Sequence, residues 1–311
     1  MKKIIRYTIR TAMVLFILLN IITAFHAYKF THFYEAAEAP VVEKSSLFST
    51  IGNIVFGAKA YKKNNTVPAD STYETIYLAT KDGIQIECWY RPVAEAKGTV
   101  ILFHGHGSKK SSVNDEAAGF NKMGYNTLQA DFRAHGGSGG NTCTIGWYEV
   151  EDVKLAYDWV KAKGESDVVL WGISMGAATI TKAIDDYKLR PKKIILEMPF
   201  ATLLEAAEGR IKMMGLPPEP LAVMVTFWGG IENGFWAFNM KPAQFVRSIK
   251  CPVLLQWGEN DNRVKKDETT RIFTNITAPK KLVLYANSGH ESLCSNETDK
   301  WMNETRRFLL K

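Results

Sequence analysis

The feature that most constrains the fold of this chain is a serine between two glycines, in the segment Gly-Ile-Ser-Met-Gly at residues 172–176. The apolar run before it, residues 168–171, predicts a buried strand, and residues 177–183 predict a helix. Glycines allow the tight turn between the two elements. A serine on this turn projects its hydroxyl group beyond the sheet, and the start of the helix offers free backbone N–H groups to negative charge. The segment therefore predicts Ser174 as a nucleophile for acyl transfer.

Two polar residues follow later strands, in the order that a serine, acid and histidine set requires. Asp261 comes just past the apolar run at residues 251–257, and His290 follows the apolar run at residues 281–285. Functional groups of open α/β sheets lie at this end of the strands. Such a histidine takes the proton of the serine, and a buried carboxylate orients its ring. We therefore predict a catalytic triad of Ser174, Asp261 and His290.

Each triad residue also has a simpler interpretation. Asp261 lies between two asparagines and fits a turn, and Glu259 is an alternative acid. His290 is alternatively an ordinary surface histidine. The order of the residues, each after a predicted strand, favours the catalytic interpretation.

The strand predicted at residues 98–103 runs into a loop that starts at His104. The loop after the third strand is the usual source of one backbone donor for a negatively charged oxygen, and the residue after the nucleophile supplies the other. We therefore predict an oxyanion hole formed by the backbone N–H groups of His106 and Met175.

His104 and His106, with His135 as a third candidate, also suggest a metal site. A dinuclear hydrolase built on this spacing needs an acid and a further histidine just beyond, whereas Lys109 and Lys110 follow here. Cations beside a metal ion are electrostatically unfavourable. We predict no metal and no cofactor, and we expect the His104 ring to brace neighbouring loops.

Residues 131–138 have the pattern D-x-R-x-H-G-x-S, in which we expect Asp131 and Arg133 to hold the loop through charge-assisted hydrogen bonds. With this loop, the chain resembles the α/β-hydrolase-fold serine hydrolases, particularly the bacterial esterase and serine-aminopeptidase-like branch. The other residues that carry the resemblance are 104–107, 172–176, 258–261 and His290. The resemblance covers about residues 73–310. It implies an α/β fold with a mostly parallel central sheet and helices on both faces.

The N-terminus holds five basic residues before the first acid, Glu35. The rest of the chain has 34 basic and 32 acidic residues, so the net charge of +7 does not indicate nucleic-acid binding. The 18 uncharged residues between Arg10 and Lys29 predict an uncleaved membrane anchor. The positive-inside rule places the N-terminus in the cytoplasm and the remaining chain outside it. The alternative is secretion after signal cleavage, although the candidate site at residues 37–39 is followed by Pro40.

These patterns predict three parts: a cytoplasmic stub with a transmembrane anchor at residues 1–30, a linker at 31–70, and a hydrolase domain at 71–311. Strands are expected at residues 73–80 and 84–91. The segment at about 201–250 is too long for an ordinary connection and predicts a cap insertion. Its methionines and aromatics favour an apolar substrate.

The predicted activity is hydrolysis of a small-molecule carboxylic ester through an acyl-enzyme. The alternatives are a peptidase or amidase that uses the same triad, and a non-catalytic binding module. The acyl chain, the alcohol and the oligomeric state are left open. The cysteines are too few for a disulfide scaffold, and their pairing is left open as well: Cys88, Cys143, Cys251 and Cys294.

Overall fold

An eight-stranded sheet forms the centre of the structure, a computed structural model that describes residues 1–35, 52, 53, 55–66 and 72–310. Its strand order is β10-β9-β8-β7-β5-β6-β4-β3. Strand β4 is antiparallel to both of its neighbours, and the other pairs are parallel. A separate parallel pair is formed by β1 and β2. The strands are β1 (Phe33–Tyr34), β2 (Ala60–Tyr61), β3 (Glu74–Ala79), β4 (Gln85–Arg91), β5 (Thr99–Phe103), β6 (Asn126–Ala130), β7 (Val168–Ile173), β8 (Lys193–Glu197), β9 (Val253–Gly258) and β10 (Lys280–Tyr285).

Helices connect the strands and cover the sheet. They are α1 (Lys2–Thr31), α2 (Asn114–Lys122), α3 (Val150–Ala162), α4 (Met175–Tyr187), α5 (Leu203–Met213), α6 (Leu221–Glu232), α7 (Pro242–Phe245), α8 (Lys266–Asn275), α9 (Leu293–Asn296) and α10 (Thr298–Leu310). Short 3₁₀ helices occupy Lys110–Val113, Ala237–Asn239 and Val246–Ser248.

The central strands are apolar because the sheet has a hydrophobic core on each face. All residues of β5 are buried. Ile101 and Phe103 enter one core, which also contains side chains of α3 and α4. Val100 and Leu102 enter the other core, which contains side chains of α2 and α10. The prediction of a mostly parallel sheet with helices on both faces is therefore confirmed.

The cap is formed by α5 and α6, which lie between β8 and β9 at the predicted place. Thr202 is the N-cap residue of helix α5, and its hydroxyl group accepts a hydrogen bond from the Glu205 amide at 3.2 Å. Helix α6 is apolar along nearly its whole length. One of its sides packs on α5, and another packs on α1.

Described residues of the predicted linker contact the domain that contains the central sheet. The amide of Phe33 donates to the Asn141 carbonyl, and the amide of Cys143 donates to the Thr31 carbonyl, both at 2.7 Å. These bonds tie the end of α1 to the loop before α3. The candidate cleavage site at residues 37–40 lies outside the described residues.

Lys62, in the segment predicted to be a linker, contacts the loop after β6. Its ammonium group is buried and donates to the Ser138 carbonyl at 3.1 Å and to the Glu35 carboxylate at 2.5 Å. Two acceptors offset the loss of water around the charge.

Candidate active site

Ser174 lies on a strained turn between β7 and α4, with φ 53° and ψ −115°. Positive φ is uncommon for a residue with a side chain and is held here by close packing. A Cβ atom on Gly172 would lie 2.7 Å from the Ala177 nitrogen, and one on Gly176 would overlap the Phe103 carbonyl oxygen. Both flanking positions therefore require glycine, and the turn presents the serine hydroxyl group at the carboxyl end of the sheet.

The structure brings the three predicted triad residues into one hydrogen-bonded chain. The Nε2 atom of His290 lies 2.9 Å from Ser174 Oγ, and its Nδ1 atom lies 2.7 Å from Asp261 Oδ2. The Asp261 side chain is completely buried, and the ring of His290 is 8% exposed. Hydroxyl, imidazole and carboxylate groups in this order can move a proton from the serine to the histidine.

Backbone amides hold the Asp261 carboxylate in its orientation. Its Oδ1 atom accepts hydrogen bonds from the amides of Arg263, at 2.8 Å, and Val264, at 2.9 Å. The other oxygen is thereby left for His290. The alternative acid, Glu259, is exposed at the end of the same strand.

The acid loop and the histidine loop approach each other because Gly258 lies between them. A Cβ atom there would be 2.5 Å from the carbonyl oxygens of Ser288 and Gly289. The amide of Asn260 donates to the Ser288 carbonyl at 3.0 Å, which joins the two loops. The contact between Asp261 and His290 therefore requires glycine at the end of β9.

The two predicted oxyanion donors flank the nucleophile. A Cβ atom on Gly105 would lie 3.5 Å from Ser174 Cβ, so the loop after β5 runs beside the serine. Met175 is the first residue of α4. Within the part of the chain that the structure describes, the amides of His106 and Met175 donate no hydrogen bond, so both are free to bind an oxygen atom.

Histidine rings brace the loops around the site. His104 Nδ1 donates to the Gly105 carbonyl at 2.7 Å, and its Nε2 accepts from the Phe132 amide at 3.2 Å. His135 Nε2 accepts from the Gly107 amide at 3.0 Å. Burial lowers the pKa of both rings, which keeps them neutral. No group of three potential metal ligands occurs among the described residues.

The loop after β6 is held by charge, as expected. Asp131 accepts from the Lys110 ammonium at 2.6 Å and from the Gly137 amide at 2.9 Å. Arg133 instead reaches α3, where it donates to the buried carboxylate of Asp152 at 2.7 and 3.0 Å. The loop is therefore fixed to both its own turn and the next helix.

Sequence reasoning missed the contribution of the first helix to the site. His106 Nε2 donates to the Phe30 carbonyl at 3.1 Å, and the two rings stack with centroids 4.4 Å apart. The Phe33 ring lies 5.4 Å from that of His106. Burial lowers the pKa of His106 to about 4, so this ring is also neutral. No local pattern predicts these contacts, because the partners are 76 residues apart in the chain.

The charged side chains near the Phe30 and His106 rings are positive. The guanidinium group of Arg210, on α5, lies 5.8 Å from the centre of the Phe30 ring. Arg210 is exposed overall, but partial desolvation of its guanidinium group, and then the neighbouring Arg263, lower its pKa. Neither arginine has a carboxylate partner among the described residues. The site therefore has local cations that are not neutralised by protein acids.

The buried residue Glu197 is hydrogen-bonded to the backbone of the nucleophile. The Glu197 carbonyl accepts from the Ser174 amide at 2.8 Å. Its carboxyl Oε1 accepts from Trp171 at 2.9 Å, Trp301 at 2.6 Å and Gln256 at 3.0 Å. Burial, with a smaller contribution from the neighbouring Glu116, raises the pKa of Glu197 to about 8. The side chain is therefore largely neutral at pH 7 and acts as a hydrogen-bonded centre that fixes the end of β8.

Comparisons with known proteins agree with this fold. The family model described as serine aminopeptidase S33 matches residues 94–220. An esterase of Pyrococcus furiosus has the same fold, with a TM-score of 0.67 and 23% identity over 82% of this chain and 98% of the esterase. The uncharacterized protein YqkD of Bacillus subtilis is 25% identical over 73% of this chain and 76% of its own length. The rat (Rattus norvegicus) acylamino-acid-releasing enzyme is 26% identical over 58% of this chain, but over only 27% of that enzyme.

The chain thus has the α/β-hydrolase fold, and the predicted resemblance to the serine hydrolases of this fold is confirmed. The fold and the matched relatives define a hydrolase without defining the bond that it cleaves.

Proposed function

We propose that this protein is a membrane-anchored serine hydrolase that cleaves carboxylic esters through an acyl-enzyme. The observation that carries the proposal is the unbroken hydrogen-bonded chain from Ser174 through His290 to Asp261. A scaffold that only bound ligands would have no need of a serine hydroxyl group held against an imidazole on a strained turn.

In the proposed reaction, Ser174 Oγ attacks the ester carbonyl while His290 Nε2 accepts its proton. Asp261 keeps Nδ1 protonated and stabilises the imidazolium ion. The amides of His106 and Met175 stabilise the oxyanion, and losing one such donor costs about 3 to 4 kcal/mol. His290 then protonates the leaving alcohol, and water releases the acid from Ser174 by the same steps.

A peptidase that uses the same triad is the second candidate, because the matched family is named as a serine aminopeptidase and one relative is named for the release of acylamino acids. An aminopeptidase has to bind the ammonium group of its substrate, which a carboxylate does best. The unpaired charges beside His106 are instead Arg210 and Arg263, which would repel that group. The charge of the site therefore favours an ester over a free amino terminus.

Labelling with a fluorophosphonate probe tests the serine mechanism. We expect the purified full-length chain to be labelled and the Ser174→Ala variant to remain unlabelled. A folded wild-type chain that is not labelled would contradict the proposal. Parallel assays with p-nitrophenyl esters and aminoacyl p-nitroanilides then separate ester from amide preference, and faster turnover of the anilides would favour the peptidase.

The membrane anchor is part of the proposal. Of the helices in the described residues, α1 alone is long and apolar enough to cross a membrane, with a mean hydropathy of 1.9 over an 18-residue window. The basic residues before it favour a cytoplasmic N-terminus and an external catalytic domain. Membranes washed with alkaline carbonate should retain a chain of 34.9 kDa. A shorter chain in the soluble fraction would support cleavage and secretion instead.

A further inference from the structure

The first helix changes its surroundings halfway along its length. All residues up to Leu18 are exposed, whereas one side is covered from Leu19 onward. The buried positions in the covered half are Thr23, Ala27 and Thr31, which repeat every four residues and so lie on one face. The second half of α1 is therefore packed against protein along a single stripe.

That stripe packs on the cap helix α6. Trp228 Nε1 donates to Asn20 Oδ1 at 3.2 Å, and Asn233 Nδ2 donates to Thr31 Oγ1 at 3.4 Å. A Cβ atom on Gly229 would be 4.0 Å from Ala27 Cβ, which is close contact for two helices. The contact thus extends from Asn20 to Thr31, and it pairs the carboxyl end of α6 with the carboxyl end of α1.

The length of α1 then limits where the cap can lie. The uncharged segment of 18 residues, 11–28, is about 27 Å long, which barely matches a hydrocarbon core of about 30 Å. If the whole cap stayed in water, residues 11–18 would be left to cross the membrane, and they measure only about 12 Å. Extending the span toward the N-terminus would place Arg10 and Arg6 in the hydrocarbon, which is costly.

The surface of the cap is suited to lipid. Helix α6 and the segments on both sides of it carry large apolar side chains that are exposed on the surface of the described structure. These are Met213, Met214, Leu216, Val223, Ile231 and Trp236. Two charged residues between the apolar positions, Lys212 at the end of α5 and Glu219 in the turn, are exposed as well, which fits insertion to the level of the headgroups and the upper acyl chains.

The nucleophile lies close to the end of α1. Phe30, in the last turn of α1, stacks on His106, whose neighbour Gly105 runs beside Ser174. The ester groups of the surrounding lipids lie at the boundary between hydrocarbon and headgroups, which is where α1 leaves the bilayer. With α1 as the anchor, Ser174 is therefore placed near the depth in the bilayer at which lipid ester bonds lie.

We propose that the hairpin of α5 and α6 inserts into the leaflet on the side of the catalytic domain, and that the substrate is a membrane-resident lipid ester that reaches Ser174 from that leaflet. The inference rests on the proposed membrane-anchored esterase. It adds a substrate class and a route that the triad alone does not specify.

Depth-dependent quenching tests the insertion without any assay of activity. The full-length chain, with Cys251 replaced by serine to remove the one partly exposed cysteine, receives a bimane label on Met214→Cys in dibrominated phosphatidylcholine vesicles. Labels on Ile17→Cys, in the exposed half of α1, and Tyr77→Cys, exposed on the edge strand β3, are the matched controls. We expect positions 214 and 17 to be quenched and position 77 to be unaffected. Quenching at 17 with none at 214 would overturn the inference, and no quenching at 17 would overturn the anchor as well.

Hydrolysis tests the route. The wild-type chain should hydrolyse both a fluorogenic acylglycerol in phosphatidylcholine vesicles and soluble p-nitrophenyl butyrate. The double variant Val223→Lys, Ile231→Lys should lower the ratio of vesicle to soluble turnover by about tenfold or more, because two apolar side chains no longer enter lipid. Tyr77→Lys should leave this ratio unchanged. An unchanged ratio in the double variant would overturn the route. Wild-type chain inactive on both esters would instead refute the proposed function, while the quenching result would still decide the insertion.

Discussion

Replacing Asp261 by asparagine tests the triad more sharply than removing the side chain, because the structure fixes which way the new amide group must point. The Oδ1 position accepts two backbone N–H groups, from Arg263 and Val264. An Asp261→Asn side chain keeps its oxygen there, so its NH₂ group faces His290 Nδ1. That nitrogen must then be unprotonated, and Nε2 must carry the hydrogen that points toward Ser174. The histidine is held in the tautomer that cannot act as a base.

The active tautomer of His290 could be restored only if the amide group of the Asp261→Asn side chain flipped, which would break both hydrogen bonds at the Oδ1 position. The loss of these two bonds sets the size of the effect on kcat. At about 1 to 3 kcal/mol for each buried bond, the cost is about 2 to 6 kcal/mol. This corresponds to a reduction in kcat of about 30-fold to about 25,000-fold. Repulsion between the amide NH₂ and the two backbone N–H groups adds to this cost, so we expect the upper part of the range. A matching asparagine in a serine protease triad lowers kcat by about 10,000-fold.

The assay is steady-state hydrolysis of a short p-nitrophenyl ester by the purified full-length chain. We expect kcat to fall and KM to stay within about twofold, because the carboxylate takes no part in binding the substrate. Glu259→Gln is the matched control, and it should keep kcat within about twofold since that side chain is exposed and outside the hydrogen-bonded chain. A folded Asp261→Asn variant that keeps more than about a tenth of the wild-type kcat would refute the reasoning.

Three further predictions concern stability, each measured by thermal unfolding. Gly176→Ala should unfold at a much lower temperature, because its Cβ atom would overlap the Phe103 carbonyl oxygen, and an unchanged melting temperature would contradict the need for glycine there. Arg133→Gln should cost about 3 to 5 kcal/mol, because it leaves the buried Asp152 carboxylate without its cation, whereas a loss near zero would show that the pair is dispensable. Glu197 has a pKa of about 8 in the folded chain and the ordinary value of 4.5 when unfolded, so the folded state holds one more proton between these pH values and loses stability as the pH rises from 5 to 8. Glu197→Gln should weaken this dependence, and equal pH slopes in the two proteins would contradict it.

The sequence predicted the sheet well because the strands have strong local signals. The apolar run at residues 168–171 lies within β7, and the other predicted runs coincide with strands to within a few residues. Strands that are buried on both faces have to be apolar throughout, so their ends can be read from where polar residues begin. The placements of Ser174, Asp261 and His290 follow from the same signal, since each lies within five residues of the end of such a run. Their catalytic roles stay predictions until they are tested.

The contacts that could not be predicted join distant parts of the chain. Phe30 reaches His106 only because α1 packs on the cap, and nothing in either local sequence indicates that partner. The sequence did not single out Glu197 as a site residue. Burial raises its pKa, and the indole and amide donors from β7, β9 and α10, which partly oppose this rise, come together only in the folded protein.

The hydrogen bonds between the end of α1 and the loop at residues 141–143 bear on how this protein can be handled. Membrane enzymes are often made water-soluble by deleting the anchor, on the assumption that it is a tether. Here deletion of residues 1–31 would remove the acceptor for the Cys143 amide and uncover the side of α6 that carries Trp228 and Gly229. It would also remove the Phe30 ring from His106. We expect the shortened chain to self-associate and to lose part of its activity, so detergent or nanodisc preparations of the full chain are the appropriate form for kinetics.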